Sequence, residues 1–530
     1  VFLRRDLRGR QVHFLFPIGG SGFHRGIAWV FNDQFLPIPP IGGKRPKRLD
    51  TAILHNCPNR HWVFCRDYIP FLLARLQNRN EGQGVIPVFP TPATSAKTNR
   101  MIDLKDLREN PEKYRRGSEL KNVAVNIAAV LDLDGQRTRA QQEFDKLKAE
   151  QNVASKTIGQ MKDAEQRKAA IAQVGQLKTQ VDQARQRMDE IQPKLDELLL
   201  QIPQPPDDDV PPGKDAADNV VLYTHGEPRR FEFKPKTHME LGKALDLFDF
   251  EAGVKLAGTR SYFLKGKGAD MHAAILRLAM EMMTREKGFT LLNVPVLVRE
   301  PAMRGTGFFP AGREQTYHVP ADELFLTGTA EVGLTAYHMG EILNEADLPK
   351  KYTAISTCFR REAGAAGKDT AGLYRVHQFD KCEQVVICRN DIEESKRWHK
   401  EMLGYSEEIL RRLKLPYRVI QCCTGDLGVK NASMMDIETW MPSRFDGKNP
   451  ASGYGETHSA SRLYEFQARR LDLRYRDSEG KLKFCHTLNN TVVASPRILI
   501  PILENYQNAD GSVTVPDVLR PLMGGVERIF

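Results

Sequence analysis

The residues best suited to chemistry lie between Lys351 and Cys388, in KKYTAISTCFRREAGAAGKDTAGLYRVHQFDKCEQVVIC. Two apolar runs, Tyr352–Phe359 and Tyr374–Cys388, read as strands, joined by a loop rich in glycine and charge. Side chains alternate between the two faces of a strand. Phe359 and Arg361 are therefore expected on one face, with Arg360 and Glu362 on the other. In the second run Arg375, His377, Phe379, Lys381 and Glu383 are expected to share a face. Arginine, glutamate and an aromatic ring together suit a surface that grips something flat and anionic, such as a nucleotide. A solvated hairpin face with a few ion pairs uses the same residue types. The hairpin alone leaves both readings open.

The elements around this stretch suggest what holds it. A helix is expected over Ala269–Glu286, ended by Gly288, then a strand over Phe289–Val298 containing Pro295. A helix over Asp391–Leu413 follows, then strands over Tyr417–Cys423, Met434–Met441 and Arg469–Arg476. The stretch HTLNNTVVASPRILIPILENYQ, His486–Gln507, reads as a polar strand end running into a helix. Ser495 is placed to cap that helix, Pro496 to open it and Pro501 to kink it. There is no G-x-G-x-x-G after a first strand and no G-x-x-x-x-G-K-[ST], so a Rossmann or P-loop nucleotide site is unsupported. Strand-rich runs interrupted by helices, without a βαβ period, predict an α+β fold with an antiparallel sheet flanked by helices.

Upstream, residues 101–210 read as helical, opening with MIDLKDLRENPE. Val174, Leu177, Val181, Ala184, Met188, Ile191, Leu195 and Leu198 form a heptad seam. Phe144, Leu147, Gln151, Ala154, Ile158 and Met161 form a weaker one. Two seams meeting near Asp163–Lys168 predict an antiparallel helical hairpin, about 45 Å long at 1.5 Å per residue. Its outer faces are polar. Arg137, Arg139, Lys146, Lys148, Lys156, Arg185 and Arg187 could meet phosphates, although a solvated face is the default for each. A linker rich in proline and aspartate, from Pro203 to Gly213, separates this unit from the rest.

The net charge of +10 belongs to residues 1–100, which hold 15 basic and 5 acidic residues; the other 62 basic and 62 acidic groups cancel. Bulk charge is thus no argument for nucleic-acid binding downstream. Proline and glycine punctuate residues 1–100, and the first methionine is Met101. The segment is expected to be weakly ordered: a mis-assigned start, a basic appendage, or a targeting segment, the last disfavoured by its two serines. No apolar run reaches membrane-spanning length. The eight cysteines form no C-x-x-C pair, so no structural zinc is expected, and a reducing, cytoplasmic compartment fits them best.

Together, the hairpin in front, LTGTAEVGL (Leu326–Leu334), FRREAGAAGKD followed by RVHQFDK, and HTLNNTVVASPRILIPILENYQ resemble a bacterial-type seryl-tRNA synthetase, a class II aminoacyl-tRNA synthetase. The resemblance covers Met101–Phe530 and implies three regions: a basic extension over 1–100, a tRNA-binding helical arm over 101–213 and a class II catalytic domain over 214–530. It implies serine activation by ATP, transfer of the seryl group to serine tRNA (and to selenocysteine tRNA where one exists), Mg²⁺ with the ATP, and a homodimer. Arg360 would hold the α-phosphate and the serine carboxylate, and Arg497 would lie over the adenine near the γ-phosphate. Arg361, Glu362, Arg375 and Phe379 complete the nucleotide grip, with Glu362 reading the adenine and Phe379 lying under it. Glu456, Thr457, His458 and Ser459 flank the phosphates, with Glu456 and Ser459 as metal ligands. Thr329, Ala330, Glu331, Arg360, Glu383, Asn489 and Thr491 would form the serine pocket. The family usually reads R-E-I-S-S where this chain reads Gly455-Glu456-Thr457-His458-Ser459. It often has glycine at the positions of Asn490 and Val492. The other reading is a catalytically inactive paralogue on the same scaffold, binding tRNA or serving as a structural protein.

Overall fold

A computed structural model of the chain describes residues 101–364 and 371–530, together with four short strands near the N-terminus. The chain divides into two compact units, Val1–Thr91 and Pro92–Phe530. In the first unit, Phe2–Arg5 pairs with Gln11–Phe14, and Val30–Phe31 with Gln34–Phe35, both antiparallel. The rest of the basic segment expected over 1–100 lies outside the described residues, as does 365–370 of the glycine-rich loop.

The second unit opens with helices. Asp103 caps Leu104–Glu109 by accepting from the N–H groups of Lys105 and Asp106. Pro111–Leu120 follows, and then the hairpin of Ile127–Ile158 and Ala164–Gln201. Asn126 and Asp163 cap its two helices, so the reversal between them is written in the sequence. At 32 and 38 residues the helices run about 48 and 57 Å. The expected seams do meet: Val181, Ala184 and Leu195 are buried on the second helix. At the base Leu195, Leu199 and Ile202 pack with Leu107, Tyr114 and Val130 in a small core of their own. Toward the tip the outer faces are exposed. Arg137 is held by Asp134, Arg187 by Glu143 and Arg185 by Asp189, while Arg139, Lys146 and Lys156 are exposed.

The linker is pinned rather than loose. Asp207 accepts from Arg462 and from the Tyr464 hydroxyl (2.7 Å), and its N–H donates to the Ala432 carbonyl at 2.9 Å.

The central scaffold is an eight-stranded sheet. Its strands, in spatial order, are Val220–His225, Tyr417–Gln421, Ser433–Trp440, Tyr454–Tyr464, His486–Ser495, Gln378–Cys388, Lys350–Phe359 and Thr290–Leu291. Every pairing is antiparallel except the last. The expected α+β architecture is therefore present. One face packs on the helices Gly266–Glu281 and Ile392–Arg412 through Cys382, Val386, Cys388, Met402 and Ile409. Asp391 caps the second helix, its carboxylate accepting from the Glu394 N–H at 2.7 Å. On the opposite face Val385 and Ile387 pack with Tyr352, Ala354 and Leu473. The period-two alternation of Gln378–Cys388 thus separates two cores and leaves Phe379, Lys381 and Glu383 on the second face.

Several expected elements differ. Tyr374–His377 precedes its strand, because mutual Arg360–His377 bonds close the ladder at that point. Phe289–Val298 is two pieces: Thr290–Leu291 joins the central sheet, and Leu297–Arg299 joins a separate three-stranded sheet. Pro295, which lacks an N–H, lies between them. Arg469–Arg476 is the end of a helix, Phe466–Leu471, a left-handed Asp472 (φ 55°), and a strand only from Arg474. Ser495 does not cap the last helix, and Pro496 does not open it. The helix is Leu499–Tyr506, and the Ser495 hydroxyl lies 2.8 Å from His272 Nδ1. Pro501 is its third residue, where no N–H has an intrahelical partner, so the expected kink has no cause. Val492 needs no glycine-like backbone: it is the unopposed residue of a bulge between Cys382–Val493 and Glu383–Thr491, and its φ is not positive.

Candidate active site

Phe379, Lys381 and Glu383 form the floor of a pocket of about 340 Å³ on the second face of the sheet. Arg360, Glu362, Glu456, Thr457, Ser459, Arg497, Thr329, Glu331, Asn489 and Thr491 line it with them. Residues from five distant stretches of sequence therefore meet in one space.

At one end the chain leaves the Lys350–Phe359 strand through a tight clamp. The Arg360 N–H donates to the His377 carbonyl at 2.9 Å, and His377 Nδ1 lies 2.9 Å from the Arg360 carbonyl. This sets the Arg360 guanidinium over the Phe379 ring, 5.2 Å from its centroid. Glu362 takes a left-handed backbone (φ 51°), uncommon for a residue with a side chain. Its carboxylate accepts from Arg375 Nη1 at 2.8 Å. Arg375 thus holds Glu362 and does not itself line the pocket. Arg361 also lies outside it: the side chain is exposed and donates to the Glu314 carbonyl at 3.1 Å.

Arg497 enters from a turn after the His486–Ser495 strand. Its Nε donates to the Tyr374 carbonyl (3.0 Å), its Nη1 reaches Glu456 Oε1 (3.2 Å), and its guanidinium covers the Tyr374 ring at 4.6 Å. Phe379 and Arg497 are both present in the pocket, as a flat ligand held between them requires.

Glu456, Thr457 and Ser459 reach the pocket because Thr457 is unopposed: Ile437 faces His458, while Glu438 faces Glu456. His458 turns inward instead. Its Nδ1 lies 2.8 Å from Thr457 Oγ1, and burial pushes the imidazole down to about 3, so it is neutral. Opposite Ser459 stands Asp436, buried, with one oxygen lacking a partner; burial and the nearby Glu456 raise its pKa well above the usual range. Among the described residues no three His, Cys, Asp or Glu side chains gather into a metal cluster. The donors present, Glu456 and Ser459, are oxygens suited to a hard cation shared with phosphates.

At the other end, the Glu331 N–H donates to Thr329 Oγ1 at 3.1 Å. Glu331 Oε1 accepts from Lys430 Nζ at 2.5 Å and from Gln467 Nε2 at 2.7 Å. Gln467 is fixed in turn by the Thr487 hydroxyl (2.8 Å). Ala330 is buried in the second core and does not line the pocket. Glu383 is ion-paired with Lys381 and faces Thr491 across the ladder; burial raises its pKa, against the pull of Lys381. Asn489 Nδ2 has no partner among the described residues and is a donor ready for a ligand.

Sequence reasoning missed Phe308, Tyr374, Asn431, Met434, Ser461 and above all Lys430. Tyr374 sits in the RVHQFDK neighbourhood and was within reach of motif reading. Lys430 sits in GVKNAS, a polar loop with no motif signal, and meets its partner 99 positions away.

Comparison with known proteins matches the two parts of the chain separately. The sequence model of the seryl-tRNA synthetase N-terminal domain matches residues 101–206, and that of the tRNA synthetase class II core domain (G, H, P, S and T) matches 317–506. A serine–tRNA ligase of Deinococcus radiodurans is 43% identical over 427 residues, covering 81% of this chain and 98% of its own. That of Citrifermentans bemidjiense is 42% identical over 430 residues, covering 81% and 100%. The crystal structure of seryl-tRNA synthetase from Pyrococcus horikoshii complexed with ATP superposes with a TM-score of 0.74 at 34% identity, covering 81% of this chain and 99% of that one. The cytoplasmic serine–tRNA ligase of Naegleria fowleri in complex with AMP gives 0.70 at 30%, covering 79% and 95%.

Proposed function

The chain belongs to the seryl-tRNA synthetase family, and from that premise we infer how its pocket divides the work. The protein is an ATP-dependent serine–tRNA ligase: it activates L-serine as seryl-adenylate and charges tRNA with it. In the first step a serine carboxylate oxygen attacks the α-phosphorus, the bond to the β-phosphate oxygen breaks, and pyrophosphate leaves. In the second, a ribose hydroxyl of the terminal tRNA adenosine attacks the seryl carbonyl, and AMP leaves.

Arg360 bridges the α-phosphate and the serine carboxylate, and its fixed fork stabilises the charge that builds between them. Its seat on Phe379 supports this role. The adenine lies between Phe379 and Arg497, with Glu362, steadied by Arg375, accepting from its amino group. Glu456 and Ser459 would hold Mg²⁺, which supplies charge neutralisation for the phosphates. Glu383 and Thr491 receive the serine hydroxyl, Thr329 and Glu331 the ammonium, and Asn489 donates nearby. A pocket that pairs buried polar groups with a hydroxyl rejects alanine by roughly 10⁴-fold, because those groups would otherwise stay unpaired.

The arm over 101–213 binds serine tRNA. The length of the hairpin and exposed Arg139, Lys146 and Lys156 support this. The catalytic part, over 214–530, pairs with a second copy through the segment around Pro295, where Leu291 and Leu297 leave apolar surface exposed (46% and 43%). We place the protein in the cytoplasm, which the six free, buried cysteines among the described residues suit. No described helix is long and apolar enough to cross a membrane.

The observation that carries this reading is the convergence of Arg360, Glu362, Phe379 and Arg497 with Thr329, Glu331, Glu383 and Thr491 around one cavity. ATP–pyrophosphate exchange with each of the twenty amino acids tests it. Serine alone should support exchange at full rate, and exchange with none would favour the inactive paralogue. Light scattering tests the dimer.

A further inference from the structure

The subsite given to the substrate's ammonium already holds a cation. Lys430 Nζ lies 2.5 Å from Glu331 Oε1 and 4.0 Å from the centre of the Phe308 ring. The Lys430 side chain is 14% exposed and that of Glu331 5%. With the Lys381–Glu383 pair, this end of the pocket therefore contains two acid–amine pairs before any substrate enters.

An arriving α-ammonium cannot simply join this arrangement. Glu331 Oε1 accepts from Lys430 and Gln467, so an arriving ammonium is left the other carboxylate oxygen, where it would be set against the Lys430 amine in a poorly hydrated space in which like charges repel strongly. The backbone carrying Lys430 is not free to retreat. Lys121 Nζ donates to the carbonyls of Gly428 (3.0 Å) and Asn431 (2.5 Å), and the Gln204 N–H donates to the Val429 carbonyl (2.8 Å). Asn431 Nδ2 further reaches Ser461 Oγ at 2.7 Å. What can move is the lysine side chain, a flexible stem with one charge at its end.

We propose that Lys430 is a tethered competitor for the ammonium subsite: it neutralises Glu331 in the empty enzyme and must leave Glu331 when the amino acid binds, so it sets the affinity and charge selectivity of the pocket. The proposal rests on the reading of Glu331 as the ammonium acceptor. It makes Lys430 a specificity-determining residue, since the ammonium of a ligand gains contact with Glu331 only by displacing that of Lys430, and so adds little net affinity. A serine analogue lacking that ammonium finds Glu331 already neutralised and loses little.

The test is steady-state ATP–pyrophosphate exchange by the full-length protein, wild type, Lys430→Met and Lys430→Arg. Lys430→Met should lower the KM for serine by on the order of ten-fold, the factor expected if Glu331 is free of Lys430 in about a tenth of wild-type molecules, and leave the KM for ATP unchanged. Lys430→Arg restores the cation and should return the serine KM toward the wild-type value. An unchanged or raised serine KM in Lys430→Met overturns the proposal. A second measurement needs only the wild type. Glycerate, which carries a hydroxyl in place of the ammonium, should compete with serine with an inhibition constant within about thirty-fold of the serine KM, because the Lys430–Glu331 pair stays intact beneath it. Weaker inhibition overturns the proposal too. Wild-type protein with no serine-dependent exchange would instead refute the assigned activity, a result that neither of the other failures resembles.

Discussion

Lys121 donates to the main-chain carbonyl of Asn431 across 2.5 Å, joining the base of the helical hairpin to the wall of the pocket. The amine is buried, and burial lowers its pKa to about 7. In the unfolded chain the same group titrates near 10.4, so between about pH 7 and pH 10 the unfolded state binds the extra proton. Stability therefore rises with pH across that window, at up to about 1.4 kcal/mol per pH unit. Lys121→Met removes this slope. Denaturant midpoints at pH 7 and pH 9 should diverge between the two proteins, with the wild type gaining more; parallel profiles would contradict the assignment.

Arg360 is held by its own backbone clamp and stacks on Phe379, so replacing it leaves the scaffold in place. Arg360→Ala should reduce serine-dependent exchange by roughly 10³-fold, the scale of losing one preorganised charge-stabilising donor. Arg360→Lys should not rescue it, because an ammonium cannot reproduce the fork. Circular dichroism and exchange rates together check this, and near-normal exchange by either variant would remove Arg360 from the reaction.

Glu383 and Thr491 face one another across adjacent strands. Thr491→Val keeps the shape and deletes the hydroxyl. It should cut the preference for serine over alanine by roughly 10²-fold, chiefly through weaker serine use. The ratio of kcat/KM for the two amino acids in exchange is the readout, and an unchanged ratio would place hydroxyl recognition elsewhere.

The hairpin can be shortened without touching its base. Leu195 and Leu199 are fully buried among Leu107, Tyr114 and Val130, and Arg108 pairs with Asp134, so a cut reaching those residues would damage the fold. Glu143 and Arg187 meet across the two helices at 2.7 Å. Replacing 145–185 by a short turn beyond that pair should leave exchange intact and abolish serine acceptance by tRNA. Full aminoacylation by the shortened protein would contradict a tRNA-binding arm.

Much of this fold was legible because it rests on local rules. The two heptad seams meeting near Asp163–Lys168 predicted the hairpin, and alternation along the second strand predicted that Phe379, Lys381 and Glu383 share a face. The misreadings have a common cause. In Arg469–Arg476 arginine and leucine favour helix, and packing of Phe466, Ala468 and Leu471 keeps the start of the stretch helical, so a strand forms only from Arg474. Ser495 and Pro496 suit a helix start, but His272 claims the serine hydroxyl and the helix begins later. Arg375 and Arg361 carry the right charge, yet one holds Glu362 and the other turns to Glu314. Lys430 shows the limit most clearly. Its importance comes from a partner brought near only by the completed sheet.

The short loop from Gly428 to Ala432 is held on one side by Lys121, Gln204 and Asp207 and on the other carries Lys430 into the pocket. The two halves of this enzyme are consequently poor candidates for cassette exchange. A chimera that borrowed the arm of a relative would inherit a different set of bonds to that loop. Its amino-acid preference would shift although no residue of the pocket had been altered.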